Sequence, residues 1–479
     1  RAWADVVRGQ VTGGTADVAM GGVNVTLAAG LEPLALQAVS GRVGGKRLAN
    51  GFRFETQALQ FVTEEGHHWP GGNVAVTWTD AEGQAPAKGE LQADRLDLGA
   101  LSLVATRLPL GTPTHAALQA YAPQGLVETL RARWQGPLGA LQSYEARGRA
   151  SGLQVAARAA PGGKAGTPGL RGAAVDFDFT HEGGKARLAL ADGALEFPGV
   201  FQEPVLPMDR FAANVQWRRD AGRLRAVVDD LAFANADAEG AARFEWRASA
   251  DGGPGTLDLD ATIARANGAR VWRYLPLGVN HEAREYVRDA VLAGSASDAR
   301  FRVRGDLHHF PFADGRQGEF LVTALVRDVA LAYVPHPAAG QVGRWPALAG
   351  LAGELVFQGD GMHVRNVTGR FANAPRLQVK VDTRIPHFAR TEVHVNAQVG
   401  GPLADSLAIV NASPLAATLH QVLARSTGSG NADVDLALVL PVHDLAHSQV
   451  RGTVTLAGND VQITPDSPLL SRARGAVQF

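Results

Sequence analysis

Three groupings of side chains in this sequence have types and spacings that could do chemistry. His67-His68 and His308-His309 are adjacent imidazoles that could hold a metal. Asp176 with Asp178, Asp258 with Asp260 and Asp433 with Asp435 are carboxylates two residues apart, a spacing that could serve acid/base work. Asn235, Asp237, Glu239 and Gly240 imitate the start of a calcium loop. Each loses its force on inspection of its neighbours. Adjacent residues on a strand point to opposite faces, so a His-His dipeptide does not readily converge on one ion. A calcium loop requires Glu at its twelfth position, where Trp246 stands, and an Asx-type turn is expected instead. The Asp pairs all lie opposite aliphatic residues in plain alternation, as on the wetted face of a strand. Gly162-Gly163-Lys164 is followed by Ala165 and lacks the spacing of a phosphate-binding loop. No Gly-x-Ser-x-Gly elbow and no His-Glu-x-x-His motif occurs. The expectation is a protein with no catalytic residue, no metal ligand and no cofactor.

What would position such side chains is almost entirely β-structure. Val23, Val25 and Leu27 alternate with Asn24 and Thr26; Val74 and Val76 precede Trp78; Val175, Phe177 and Phe179 alternate with Asp176 and Asp178. The same period of two runs through Leu257 and Leu259; Phe301 and Val303, with Leu307 beyond; Leu377, Val379 and Val381; Val393 and Val395; Val434, Leu436 and Leu438; and Val454 and Leu456. Such strands set one face against an apolar environment and the other in water.

Three helical junctions interrupt the strands. Thr112-Pro113 opens the first, which is expected to continue through Gly125 to Trp134 and stop at Gly136. In the second, Asn280 caps an amphipathic helix over His281 to Ala293 that stops at Gly294. Its polar face mixes acids with bases, so it is expected to pack across the sheet and not to lie on a membrane. Ser413-Pro414 opens the third, stopping at Gly428. These divide the chain into sections 1–110, 111–270, 271–400 and 401–479.

Composition narrows the class further. With 46 basic and 47 acidic residues the net charge is -1, and there is no basic run of the kind that binds nucleic acid. Glycine supplies 56 of 479 residues, about 12% against a usual value of about 7%, without polar low-complexity runs, which suits turns and bulges. Cysteine is absent, so disulfides and thiolate sites are excluded. No run approaches the roughly 18 apolar residues of a membrane span, and the start at Arg1 suggests a portion of something longer.

Short turns between strands favour antiparallel hairpins. On the order of 25 to 30 strands about 4.8 Å apart would make one sheet well over 100 Å long, with more apolar face than a soluble monomer leaves exposed. Either successive β-sandwiches bury that face, or an elongated, twisted, largely antiparallel sheet curls into an apolar groove filled by a ligand. The inward residues are mostly Ala, Val and Leu and aromatics are only 6% of the chain, which favours the groove. The fold expected is therefore mainly β with a few short amphipathic helices.

At the central junction the residues become familiar. Val271-Trp272-Arg273-Tyr274-Leu275-Pro276, Ala290-Val291-Leu292-Ala293-Gly294, Phe301-Arg302-Val303-Arg304-Gly305-Asp306-Leu307, Phe310-Pro311-Phe312, Gly318-Glu319-Phe320 and Trp345-Pro346-Ala347-Leu348 resemble the YhdP subgroup of AsmA-like proteins. Trp69-Pro70-Gly71, Phe197-Pro198-Gly199-Val200-Phe201 and Leu231-Ala232-Phe233-Ala234-Asn235 extend the match over most of the chain. The resemblance implies a periplasmic protein of the Gram-negative envelope, anchored in the inner membrane by an N-terminal helix not present in this chain. It also implies a β-groove that carries phospholipid between inner and outer membranes without catalysis. The implied partners are phospholipid acyl chains, both membranes through segments outside this chain, and other envelope proteins. A closed scaffold that binds envelope proteins is the competing class.

Overall fold

The computed structural model describes residues 1–26, 31–69, 71–107, 112–137, 140–336, 343–444 and 447–479, leaving aside the side chains of 112–114. Leu27, Pro70 and the section boundary at 110/111 lie outside the described residues. The chain divides into two compact units, Arg1–Ala236 and Asp237–Phe479.

The first unit contains β1 (Ala2–Val7), β2 (Gln10–Val25), β3 (Leu34–Leu48), β4 (Gly51–Thr63), β5 (His68–Trp69), β6 (Val74–Thr79), β7 (Lys88–Ala93) and β8 (Leu96–Asp97). Helices α1 (Leu98–Thr106) and α2 (Thr112–Tyr121) follow, then β9 (Gln124–Gln135), β10 (Ser143–Val155), β11 (Gly169–Thr180), β12 (Gly183–Glu196), β13 (Val205–Asp220) and β14 (Arg223–Ala234). The second unit holds β15 (Ala238–Arg247), β16 (Thr256–Asn267), α3 (His281–Ala290), β17 (Val291–Asp306), β18 (Gly318–Leu331), β19 (Leu348–Gln358), β20 (Gly361–Phe371), β21 (Ala374–Ile385) and β22 (Glu392–Pro402). Helices α4 (Leu403–Ala412) and α5 (Leu415–Thr418) then lead to β23 (Thr427–Gly428), β24 (Asn431–Pro441), β25 (Gln449–Gln462) and β26 (Leu470–Gln478).

The strand pairings within each unit are antiparallel and mostly join neighbours in sequence, as short hairpin turns dictate. Among the described residues no pairing returns β14 to β1 or β26 to β15, so neither unit's sheet closes into a barrel. Strands account for 62% of the structure and helices for 12%, which makes the fold mainly β, as expected.

Many of the long strands carry a bulge, and five of the bulges are built by Asp or Asn. Asp192, Asp230, Asp298, Asp328 and Asn366 all hold φ between 51° and 55°, in the left-handed region where Asp and Asn are the least penalised after glycine. Each sits at or beside a register shift, where one strand has an extra residue. A bulge bends its strand and increases the local twist, so repeating it from strand to strand curls the sheet. It also changes the numbering phase without changing the face. On β18 the inward residues are Phe320, Val322, Ala324 and Val326 before Asp328, then Val329 and Leu331 after it.

The helices differ from expectation at three places. Gln124–Gln135 is strand β9, not the continuation of the first helix. Helix α2 does open at Thr112, but it ends at Tyr121, and it is preceded by α1, which no period in the sequence announces. At the third junction the longer helix, α4, precedes Ser413-Pro414, and only the four-residue α5 follows it. The second junction keeps its cap: Asn280 Oδ1 accepts a hydrogen bond from the Ala283 N–H at 2.7 Å. Its helix stops at Ala290, however, and Gly294 lies inside β17 with φ 132°. A Cβ there would meet the Val329 Cα at 2.9 Å, so this glycine serves the close approach of the strand across the Asp328 bulge.

Asp328→Gly should leave stability within a few tenths of a kcal/mol, whereas Asp328→Val should cost about 1–2 kcal/mol because a β-branched side chain is strained at positive φ. The shift in urea midpoint of the two variants checks this, and equal midpoints would overturn the bulge assignment.

Candidate functional site

The register of the ladders carries the alternation of each strand across the whole sheet. In the first unit Phe54 pairs with Val76, Val76 with Leu91, Leu91 with Ala132, and Ala132 with Ala146. The row continues through Phe179 and Gly184 to Trp217 and Ala226. A parallel row runs from Thr56 through Val74, Ala93, Leu130, Gly148, Phe177, Ala186 and Val215 to Val228. Val175 lies in a third row, between Ala150 and Leu188.

The second unit repeats the arrangement. Phe244, Leu259, Val303 and Phe320 form one row; Ala261, Phe301, Val322, Phe357 and Met362 form the next. Further on, Val379, Val399, Val434 and Val454 are aligned, as are Val381, Ala397 and Leu436, and Val395 with Leu438. Val393 pairs with Leu440, and Leu456 with Ala432. Rows are about 6.8 Å apart along a strand, so four of them make an apolar band about 20 Å or more wide.

Most of this face is half-buried and not sealed. Val76, Phe177, Leu257, Leu259, Phe301, Val395, Leu436, Leu438 and Leu456 are all partly exposed. Two helices cover it locally. The apolar α1, capped by Asp97 Oδ1 on the Ala100 N–H at 2.8 Å, packs in one cluster with Leu36, Phe61, Trp69, Ala93, Val127 and Ala150, with Val23 and Val74 against it. That cluster gathers residues from β3 to β10, which requires their shared face to be concave. In the second unit α4 lies over β21, with Ile409 against the cluster of Leu377, Val379 and Val399. Leu377 is only 1% exposed and Val379 3%, so these two candidates are core residues beneath the helix, unlike the open positions in the same rows. Leu307 falls in the turn after β17, and Val25, at the end of β2, is exposed.

Aromatic rings close one end of the second unit's rows. Phe312 is 2% exposed and lies on the cross-strand pair Gly305 and Gly318, where a Cβ on Gly318 would meet its ring at 2.5 Å. The Phe310 ring lies tilted against Phe320, with centroids 5.0 Å apart. Sequence reasoning singled out this Phe-Pro-Phe segment only as a motif. It missed α1, α4 and partners such as Val322, Phe357 and Val364, whose signal lies in register and not in any one strand.

The opposite face is a lattice of charges. Arg304 reaches Asp258 at 3.1 Å and Asp260 at 3.4 Å; Arg243 and Arg302 also meet Asp260. Asp176, Asp178, Asp433 and Asp435 are exposed on it, so the Asp pairs stand on the wetted face. Asp237, from the calcium-loop look-alike, is buried and accepts hydrogen bonds from Arg273 Nη1 at 2.6 Å and the Tyr274 hydroxyl at 3.1 Å. Among the described residues no group of acids and histidines could hold a metal ion.

What these rows define, within each unit, is an open antiparallel sheet with one apolar face and one charged face. Comparison with protein families gives a match to the family described as YhdP protein over residues 1–479, and the chain belongs to that family, a YhdP-type AsmA-like protein. Comparison with curated proteins and with solved structures gives no match.

The charged face sets the acid limit of the fold. Hydrogen bonds from Arg365 at 2.8 and 3.0 Å hold the Glu354 carboxyl below its ordinary value of 4.5. Arg42 does the same to Asp17, and Arg288 to Asp289. A carboxyl depressed in the folded state contributes stability that is present above its unfolded value, about 4 to 4.5, and is lost as the pH falls through the folded one. The melting temperature should therefore be flat from about pH 6 to 8 and fall below about pH 4, with a shallower fall in Glu354→Gln. An equally steep acid fall in that variant would remove Glu354 from the account.

Proposed function

We propose that this chain is a conduit for phospholipid between the inner and outer membranes of a Gram-negative envelope. Acyl chains lie on the apolar rows and headgroups stay at the open edge in water. No reaction is catalysed. The observation that carries this reading is the register of apolar rows from strand to strand within each unit, on a face that little else covers. The chain exposes 27953 Å². Even two separate compact bodies of half its mass each would expose together only about 20,500 Å². An apolar band about 20 Å wide matches acyl tails that fill one leaflet of about 15 Å. Contact with it is non-directional, at about 25 cal/mol per Å², so a tail can slide from row to row without being released.

Among the described residues no helix is long and apolar enough to cross a membrane. Anchoring in the inner membrane, and with it the periplasmic location, therefore belongs in this proposal to a segment outside this chain.

Lipid extraction and native mass spectrometry of the purified chain test the proposal. Phospholipid should co-purify, and Val76→Asp or Leu436→Asp should lower the lipid per protein several-fold, while Gln216→Asp on the charged face leaves it unchanged. Circular dichroism confirms that the variants are folded. A lipid-free wild-type protein would favour the scaffold that binds envelope proteins, and Asp variants with full lipid content would remove the apolar rows from the path.

A further inference from the structure

One well-formed concave space in the second unit is not on the apolar face. It has a volume of about 870 Å³ and crosses the ladder from β20 to β26. Its lining combines two neighbouring polar rows with Val381, Ala397 and Leu436 between them, whose side chains alternate to the other face, and ends at Phe479. Lys380, Gln398, Asp435 and Thr453 stand in one row; Asp382, Asn396 and Arg451 stand in the other. The apolar rows on either side, Val379 to Val454 and Val395 to Leu438, take no part in it. The space is therefore a trough on the wetted face, and a twisted sheet is saddle-shaped, concave along one diagonal on each side.

The trough differs from the rest of that face in how its groups are used. Over β16 to β18 the arginines and carboxylates pair with one another across the strands. In the trough the contacts are few: Gln398 Nε2 donates to Asp435 at 3.0 Å, and His363 Nε2 stands 2.9 Å from Asp382. Among the described residues, the side chains of Lys380, Asn396, Arg451 and Thr453 take no hydrogen bond or ion pair from the protein. Two cations, two carboxylates and a set of amides and hydroxyls add to no net charge. An anionic ligand would meet Asp382 and Asp435, a cationic one Lys380 and Arg451, and an acyl chain would bury the charged and amide groups of both rows without a partner. Hydroxyl groups both donate and accept, and so satisfy every group in this inventory. Five strand spacings give the trough a length of about 24 Å. Its volume falls within the roughly 300–1,000 Å³ of ligand-binding clefts.

We infer that this trough binds an extended, uncharged oligosaccharide on the face opposite the apolar rows. The site stands independently of the lipid reading, since it shares no side-chain row with the groove. It would hold the protein to a glycan while the other face stays free.

The test is titration of the full chain with a glucose hexamer and with an N-acetylglucosamine hexamer, followed by calorimetry. At least one should bind saturably. Asn396→Ala combined with Gln398→Ala removes two exposed side chains without touching the core, and should weaken that binding at least tenfold, while Gln216→Asp in the first unit leaves it unchanged. Saturable binding of neither hexamer, or binding unaltered by the double substitution, would overturn the inference. So would binding of an uncharged extended hexapeptide where both sugars fail.

Discussion

Everything in this protein depends on strand register holding one face to one side across many ladders. Side chains alternate with a period of two, so a slip of a single residue would exchange the apolar and charged faces of a strand. The pairings that set the fold therefore also set the site: Leu91 lines the same row as Ala132 and Ala146 only because two antiparallel ladders agree. The bulges work within this constraint. An inserted residue at Asp230 moves the inward set from Ala226 and Val228 to Leu231 and Phe233, and at Asn366 from Met362 and Val364 to Val367 and Gly369. The strand bends while its inward side stays inward. Curl and continuity, which would otherwise compete, are obtained from one local device.

The openness of the sheet follows from what the rows are made of. Ala, Gly and Val recur at inward positions, as in the rows through Ala132, Ala146 and Gly184. A second sheet packed at about 10 Å would require larger side chains to fill the gap. The two helices that do cover the face have apolar sequences suited to filling it locally. Helix α1 buries Ala100 and Ala105, and α4 buries Leu403. Each covers a few strands and leaves the neighbouring rows half-exposed. Short elements of this kind mark places where the apolar path narrows, without turning the groove into a closed core.

Much of the architecture was legible because it repeats. Alternation at Val175 to Phe179, Leu257 to Ile263 and Val434 to Leu440 named the strands and their faces, and Asn280 announced its helix. Strand β9 was misread for a definite reason. A register shift at Glu128 separates Val127 from Leu130 by three residues, and Trp134 follows four later, so a bulged strand imitates the spacing of a helix. The contacts of Val127 with Leu96 and Ala150, distant in sequence, decide the matter. Helix α1 was hidden by the opposite fault, since Leu98–Thr106 is apolar nearly throughout and shows no period at all. Leu377 and Val379 alternate like their neighbours, and nothing local says that a helix beginning at Leu403 returns to cover them.

The charged face has its own part in keeping the groove open. An open sheet without a second layer must be stable with one side in water, and exposed ion pairs contribute only about 0–1 kcal/mol each. Their arrangement matters more than their number. Arg304 bridges Asp258 and Asp260, and Arg302 reaches Asp260 and Glu319, so each strand is tied in register to those beside it. A slip by one residue would place these charges on the apolar side, where an unpaired charge is far more costly than a lost surface pair. The ladder of charges thus opposes the one error that would destroy the apolar rows.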